Sequence, residues 1–426
     1  MPLAIPEFLQ VRLRQPVAIF GGGVSGEGVL ALLGKVGVAG IIYDQRGRPF
    51  TPADAAGHAL AVVSPGFAPT HPWVTAAEAA GVPWLGELDF ASCFWQGQVV
   101  AITGTNGKTT LTEFLAHALT AAGESAAVAG NIGRPFSRVA LDADGGAGSI
   151  AVCEVSSFQA ETLRHLRADV TLWTNFAEDH LERHGDMAAY FRAKWNLVAR
   201  TTPGSVFAGT SVQRMAAKLG LALPAGAAVA SEDAPADARL AGTVFATYPQ
   251  RENLELAAAW WRASGRDMAA LHAAARTFRL GRHRLARVGE HDGVAFWNDS
   301  KATNFHAVEA ALAGFDRPVL VILGGKPKGG DLAAFVKRLA PRVKHASLIG
   351  ETREELSTYC RAYGVPHTVC ESLADAVRNA AARAVAGEAV LLSPGFASFD
   401  QFRNYEDRGE QFETLVRGLA STPSLR

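Results

Sequence analysis

The stretch Ala101-Ile102-Thr103-Gly104-Thr105-Asn106-Gly107-Lys108-Thr109-Thr110 constrains this chain more than any other part of it. It follows the apolar run Gln98-Val99-Val100-Ala101-Ile102 and leads into Leu111-Thr112-Glu113-Phe114-Leu115-Ala116-His117-Ala118-Leu119. That succession predicts a strand, a glycine turn and a helix. Such a turn aims backbone N–H groups and a helix N-terminus at one point, which suits a phosphate. Lys108 adds a mobile point charge for terminal phosphates, and Thr109 offers a hydroxyl to Mg²⁺. The pattern departs from G-x-x-x-x-G-K-S/T at its first position, where Ile102 stands. A nucleoside triphosphate is the expected ligand.

At 426 residues, a prior of about 150 residues per domain gives about three domains. Hydrophobic residues make up 48% and charged residues 19%, enough for several buried cores. Formal net charge is zero, so composition offers no electrostatic case for nucleic acid or an anionic membrane as partner. No apolar run approaches the length of a membrane span. The N-terminal residues Met1-Pro2-Leu3-Ala4-Ile5-Pro6-Glu7-Phe8 lack the basic start and long apolar core of a signal peptide. The four cysteines, Cys93, Cys153, Cys360 and Cys370, form no CxxC pair and no metal-ligand spacing. They are expected to be reduced thiols of a soluble cytoplasmic protein.

The N-terminal segment has a βαβ pattern. Pro16-Val17-Ala18-Ile19-Phe20 predicts a strand, Gly21, Gly23 and Gly26 satisfy G-x-G-x-x-G, a helix runs through Val29-Leu30-Ala31-Leu32-Leu33, and Ile41-Ile42-Tyr43-Asp44 predicts a strand ending on an acid. A pyrophosphate-bearing ligand suits that helix start, without specifying NAD. Ala61-Val62-Val63-Ser64-Pro65-Gly66 extends the sheet into another glycine turn.

Beyond the phosphate turn, Gly130-Asn131-Ile132-Gly133 reads as a loop and Ile150-Ala151-Val152-Cys153-Glu154 as a buried strand ending on a carboxylate. Glu154 is a candidate Mg²⁺ ligand, since strand tips share the phosphate edge; the bland alternative is a helix-capping acid. Val170 to Asn175 predicts another strand, with Glu178-Asp179-His180 at its exit and Lys194 on a following helix. Asp179 and His180 are candidates for Mg²⁺ and Lys194 for a phosphate. Thr202 to Tyr248, rich in Ala, Gly and Pro, shows little regular pattern, and Asn253 is expected to begin a helix whose Trp260 and Trp261 pack inward. Gly293 to Ser300 predicts a strand, Lys301-Ala302-Thr303-Asn304 the opening of a helix, and the runs from Pro318, His345 and Ala389 three further strands, each ending in a glycine turn. Strands alternating with helices imply three α/β units with mostly parallel sheets.

Thr103 to Thr110, Glu154 to Gln159, Asn175 with Glu178-Asp179-His180, Asn298-Asp299-Ser300-Lys301-Ala302-Thr303-Asn304 and Leu391 to Gly409 carry a resemblance. Their order and content are similar to those of the Mur ligases of peptidoglycan synthesis, and most of all to the branch that adds glutamate. The resemblance implies a Rossmann-like UDP-binding domain over 1–96, a central P-loop domain over 97–280 and a C-terminal Rossmann-like domain over 281–426. It implies small-molecule partners, UDP-N-acetylmuramoyl-L-alanine and D-glutamate, with ATP and Mg²⁺, in a cytoplasmic monomer.

Residue roles follow from the resemblance alone. Val24, Ser25, Asp44, Arg46 and Gly66 would hold the UDP group. Asn131 and Ser156 would face that substrate, as would His180 or through it a metal. Gly104, Thr105, Asn106, Gly107, Lys108, Thr109 and Thr110 would hold ATP, with Asn253 and Asp299 on its adenine and ribose and Arg284 and Lys301 near its phosphates. Thr109, Glu154 and His180 would serve Mg²⁺, joined by Lys194 once carbamylated, which inverts the reading of that lysine as a cation. Thr303, Lys328, Ser398, Phe399 and Tyr405 would form the glutamate pocket.

Departures keep alternatives open. Pro249 and Gln250 stand where the family often has His-Asn, Gly395-Phe396 where Ala-Cys is usual, and Tyr405 where phenylalanine is common. An L-glutamate-accepting relative or a sibling ligase therefore stays in view. A dehydrogenase reading rests on Gly21 to Asp44 only and leaves the phosphate turn unexplained.

Overall fold

A computed structural model describes residues 3–230 and 237–420. Met1 and Pro2, at the head of the segment read for a leader, lie outside the described residues, as do both outer ends of the three expected domains. The chain divides into two compact units. One comprises Met1–Phe176, Ala188–Thr243 and Glu252–Phe278; the other comprises Ala177–Met187, Val244–Arg251 and Arg279–Arg426.

The first unit holds two parallel sheets. Strands β1 (Val17–Phe20), β2 (Gly40–Tyr43), β3 (Ala61–Val63) and β4 (Trp84–Gly86) form one, in the order β2-β1-β3-β4. Strands β5 (Gln98–Thr103), β6 (Ala126–Gly130), β7 (Ile150–Glu154), β8 (Val170–Trp173), β9 (Val206–Gly209) and β10 (Ala228–Ala230) form the other, in the order β10-β9-β8-β5-β7-β6. The period of two along β1 shows how the core is divided. Val17 and Ile19 join a cluster with Leu32, Leu33, Phe136, Val139 and Cys153, which spans both sheets. Ala18 and Phe20 face the opposite way, onto Tyr43, Phe50 and Trp84.

The second unit holds a six-stranded sheet of β11 (Ala286–His291), β12 (Val294–Asn298), β13 (Val319–Gly324), β14 (Val343–Ile349), β15 (His367–Val369) and β16 (Ala389–Leu392). Their order is β11-β12-β16-β13-β14-β15, parallel except for the antiparallel β11–β12 pair. Val319, Val321 and Leu323 of β13 pack on one face and Leu320 and Ile322 on the other. A strand covered on both faces needs such a continuous aliphatic run. Each buried side chain of this kind contributes about 1.5–3 kcal/mol. Among the described residues, no helix is long and apolar enough to cross a membrane.

The α/β class and parallel sheets agree with the sequence pattern, and three local expectations are corrected. The stretch Thr202 to Tyr248 contains β9, the helix Thr210–Lys218 and β10, apart from its part at 231–236, which lies outside the described residues. Val206 and Phe207 take up strand geometry because β8 offers an open parallel edge. Lys301 to Asn304 do not open a helix: Asn304 caps the helix Phe305–Ala313, accepting from the Ala307 N–H at 2.9 Å, and the three residues before it stay extended or turned. The helix bearing Asn253 begins earlier, spanning Gln250–Ala263, with Trp260 and Trp261 buried as expected.

The glycine pattern at Gly21, Gly23 and Gly26 has a packing cause. The helix Val24–Lys35 begins directly after Gly23, and a Cβ on Gly26 would stand 1.9 Å from the Gly21 carbonyl oxygen. Only glycine lets the helix start sit this close to the strand end. Asp44, at the end of β2, accepts from the Gly22 and Arg46 N–H groups, each at 2.9 Å, and these two bonds hold its carboxyl below the usual range.

Candidate active site

In the first unit, the carboxyl ends of the central strands converge on the phosphate turn. Gly104 has φ of +147° and Gly107 of +79°, and Gly107 caps the helix Lys108–Ala121. A Cβ on Gly104 would collide with the Thr174 hydroxyl, and one on Gly107 would lie 2.5 Å from the Asn253 side-chain oxygen. Glycine is therefore required at both places by backbone angle and by close approach. Asn175 clasps the turn from outside, accepting from the Asn106 N–H at 2.9 Å while its own amide donates to the Asn106 carbonyl at 3.2 Å. The Thr174 hydroxyl donates to that carbonyl too, at 2.6 Å. Thr105 meets the Tyr190 hydroxyl at 3.3 Å, and the Lys108 ammonium reaches the Thr105 carbonyl at 2.7 Å. Thr110 is buried on the inner face of the helix.

Glu154, 1% exposed, receives two side-chain bonds. The Thr109 hydroxyl donates to Oε2 at 2.7 Å and the Asn131 amide to Oε1 at 2.8 Å. It caps no helix; it sits beside the first turn of the helix that follows the phosphate turn. Lys194, on the helix Met187–Val198 and also 1% exposed, donates to the Gly104 carbonyl at 2.8 Å and to the Thr103 hydroxyl at 3.3 Å. No cluster of three or more His, Cys, Asp or Glu suited to a metal ion occurs among the described residues. The Thr109 hydroxyl and the Glu154 carboxylate are donors of the kind that fit Mg²⁺, a hard cation that keeps several waters and takes one or two protein oxygens beside substrate phosphates.

At the edge of the four-stranded sheet, Val24 and Ser25 occupy the helix start, and Arg46 and Gly66 are exposed. A shallow cleft lined by Ser64, Phe67, Trp84, Glu87, Phe158 and Gln159 among others belongs to the same unit, and Val24, Ser25, Asp44, Arg46 and Gly66 are not among the residues lining it. Ser156 lies in the same region, engaged in a capping box with Gln159: its hydroxyl accepts from the Gln159 N–H at 3.2 Å.

The second unit contains a cleft of about 330 Å³ that brings His180, Thr303 and Lys328 together with Asp179, Asn304 and Phe305. Lys328 stands 3.5 Å from the Thr303 hydroxyl. Asp179 accepts from the Asn304 amide at 3.0 Å and lies 3.7 Å from the His180 ring. Burial holds His180 below the usual histidine value, helped by the Lys328 charge and opposed by Asp179 and Glu182, so the ring is neutral at pH 7. Ser398, Phe399 and Tyr405 do not line this cleft. Ser398 is buried in its loop and Phe399 is 67% exposed. The Tyr405 ring lies under the Lys301 ammonium, 3.8 Å from its centroid.

Asp299 follows β12 and accepts from the Ser393 hydroxyl at 2.9 Å and the Leu285 N–H at 3.1 Å. Withdrawal from water raises its carboxyl to about 7, against those two bonds and the charges of Arg284 and Arg408. Asn175 and Arg408 fall within the stretches that carry the resemblance, but no role was expected of them or of Tyr190; all three act across more than 60 residues of sequence or through a buried helix face.

Residues 102–228 match the Mur ligase middle domain, and residues 283–396 match the Mur ligase glutamate ligase domain. A protein of Gloeobacter violaceus named UDP-N-acetylmuramoylalanine--D-glutamate ligase is 34% identical, over 95% of this chain and 99% of its own length. A protein of the same name from Mycobacterium tuberculosis is 35% identical, over 98% of this chain and 99% of its own. Among solved structures, the UDP-N-acetylmuramate-alanine ligase of Thermotoga maritima shares the fold with a TM-score of 0.62 and 16% identity, covering 96% of this chain and all of that one.

Because the folded state holds the Asp299 proton more tightly than the unfolded chain does, stability due to this group is present below about pH 4 and is lost as pH rises to about 7. Asp299→Asn is expected to remove that decline, so the variant gains on the wild type by roughly 1 kcal/mol or more between these limits. Urea unfolding of both proteins at pH 4.5 and 7.5 measures it; parallel profiles would contradict the assignment.

Proposed function

This chain belongs to the Mur ligase family, and on that premise we propose that it joins D-glutamate to UDP-N-acetylmuramoyl-L-alanine at the expense of ATP, in peptidoglycan precursor synthesis. The observation that carries the proposal is the Thr109–Glu154–Asn131 cluster at a phosphate turn, in a chain matched along nearly its whole length by relatives of that name.

The chemistry divides into two steps. A carboxylate oxygen of the muramoyl-alanine substrate attacks the γ-phosphorus of ATP, forming an acyl phosphate and releasing ADP. The glutamate amine then attacks the acyl carbon, and the tetrahedral intermediate collapses to an amide with loss of phosphate. Positioning and charge neutralisation dominate such transfers, so a site of glycine turns, lysines and carboxylates without a nucleophilic Ser or Cys suits them.

Gly104 to Gly107 present backbone to the ATP phosphates, and Lys108, Thr109 and Thr110 hold them, with Lys108 at the terminal phosphate. Thr109 and Glu154 hold Mg²⁺, which when bound neutralises charge on phosphate oxygens. Asn253 and Asp299 serve the adenine and ribose, with Arg284 and Lys301 toward the phosphates. Val24, Ser25, Asp44, Arg46 and Gly66 serve the UDP group, and Asn131 and Ser156 the remainder of that substrate. Lys328, a cation set in a cleft with Thr303, suits a glutamate carboxylate, and the neutral His180 ring beside it suits a metal or a polar substrate group. Ser398, Phe399 and Tyr405, expected at the same amino acid, stand outside that cleft and have no part in this reading. The same reading implies a cytoplasmic monomer with small-molecule partners, and neither nucleic acid nor membrane.

Lys194 is proposed to react with carbon dioxide, its neutral amine gaining a carboxylate and losing a proton, which turns a cation into an oxygen donor at the phosphate turn. Its position against Gly104 supports this, since a carboxylate formed there would stand at the phosphate turn. Lys194→Ala is expected to lose about 100-fold or more in turnover. Acetate is expected to restore part of it, and a variant that no carboxylic acid rescues would contradict the carbamate.

The function itself is tested by phosphate release from ATP with Mg²⁺, UDP-N-acetylmuramoyl-L-alanine and either D-glutamate, L-glutamate or no amino acid. Release that requires D-glutamate, with a product heavier by one glutamyl residue, is expected. Turnover with L-glutamate alone would overturn the stereochemistry and keep the reaction. Turnover with neither would contradict the reading.

A further inference from the structure

Four segments of the second unit carry the residues expected at the glutamate: the stretch from Asp299 to Asn304, the turn from Gly324 to Lys328, the loop from Pro394 to Ser398 and the start of the helix Tyr405–Ala420. One side chain, carried by the last of them, binds two of the others directly and lies close to the remaining one. Arg408, on that helix, is completely buried. Its Nε donates to the Ser300 hydroxyl at 3.0 Å, one terminal nitrogen to the Ser300 carbonyl at 2.8 Å and the other to the Phe396 carbonyl at 3.2 Å. A Cβ on Gly325 would lie 3.4 Å from the guanidinium, which places that turn in contact as well. The Ser300 hydroxyl passes the connection on, donating to the Tyr405 carbonyl at 2.8 Å.

The chemistry of Arg408 is unusual for a residue that serves only packing. Among the described residues no carboxylate forms an ion pair with it; Asp400 and Asp299 act on it from further away. Burial lowers it to about 10, so it stays a cation at neutral pH. A buried cation without a direct counter-charge is costly, and an apolar side chain of similar volume would stabilise the fold at least as well. What an apolar side chain lacks is a planar fork of donors fixed at set angles.

We propose that Arg408 is a positioning residue for the amino-acid substrate: its guanidinium locks the Ser300–Thr303 segment against the Phe396–Ser398 loop and so sets the geometry in which glutamate is bound. This rests on the reading of the second unit as the glutamate-binding one. Lysine at this position keeps the charge and loses the fork, so Arg408→Lys separates geometry from electrostatics.

The test compares KM for D-glutamate with KM for UDP-N-acetylmuramoyl-L-alanine, whose proposed residues other than His180 lie in the other unit, in the wild type, Arg408→Lys and Ser300→Ala. Thermal midpoints are measured alongside. Arg408→Lys is expected to raise the glutamate KM about 10-fold or more while the other KM stays within about two-fold. Ser300→Ala is expected to move the glutamate KM the same way, by about three-fold. An unchanged glutamate KM in folded Arg408→Lys would overturn the proposal, as would equal change in both constants, the mark of general loosening. Should Arg408→Lys not fold, an unchanged glutamate KM in Ser300→Ala overturns it. A wild type that turns over without glutamate dependence would instead overturn the functional reading, and the inference with it.

Discussion

The reciprocal pair of hydrogen bonds between Asn175 and Asn106 is the constraint on which the first unit's site depends. Ordering a four-residue turn costs about 1–2 kcal/mol of backbone entropy per residue. Hydrogen bonds of about 0.5–1.5 kcal/mol each offset this only if several act on the same few atoms. Asn175 supplies two, Thr174 a third onto the Asn106 carbonyl, and Lys194 a fourth onto the Gly104 carbonyl. Every one comes from the tip of β8 or the helix after it, so a turn that belongs to β5 is shaped by its neighbour in the sheet. The start of the helix Lys108–Ala121 is thereby held at the turn, where a helix N-terminus favours an anion.

The same logic recurs in the second unit with a charged side chain in place of an amide. Arg408 holds carbonyls of two loops that leave different strands, and the loops are zipped further by the Gly395 N–H to the Ala302 carbonyl at 2.9 Å and the Lys326 N–H to the Ala397 carbonyl at 2.8 Å. Rigid strand tips deliver the loops, and a few buried donors fix their mutual geometry. Both units thereby separate stability from chemistry: aliphatic strands bury the core, and polar groups at one sheet edge are held rather than merely present. A transfer reaction that depends on alignment more than on covalent chemistry requires that separation.

Much of this was legible in the sequence, for reasons that differ by element. Strands β5, β7, β13 and β16 are largely aliphatic runs, β7 ending on a carboxylate and β13 on a glycine, and two-sided burial demands that composition. The sequence Ala126-Ala127-Val128-Ala129 gives no such signal, yet it forms β6 because pairing with β7 outweighs weak local preference. The phosphate turn and Glu154 were visible because glycine spacing and a charge at a strand end are local features, whereas Lys328 came from the family resemblance. Asn175 and Arg408 lay within stretches the sequence singled out, but their roles, like that of Tyr190, come from partners far along the chain that neighbouring residues do not reveal. Asp44 shows the converse: a recognisable acid at the expected offset whose carboxylate ties down its own turn.

The central claim is that the phosphate turn activates a substrate carboxylate by phosphorylating it. The most direct measurement uses UDP-N-acetylmuramoyl-L-alanine labelled with oxygen-18 in its free carboxylate, turned over with ATP and D-glutamate, with the released phosphate read by mass. An acyl phosphate requires that each phosphate carry one labelled oxygen and the amide keep the other. Phosphate free of label would mean that ATP is cleaved by water and the amide formed some other way, which would contradict the account.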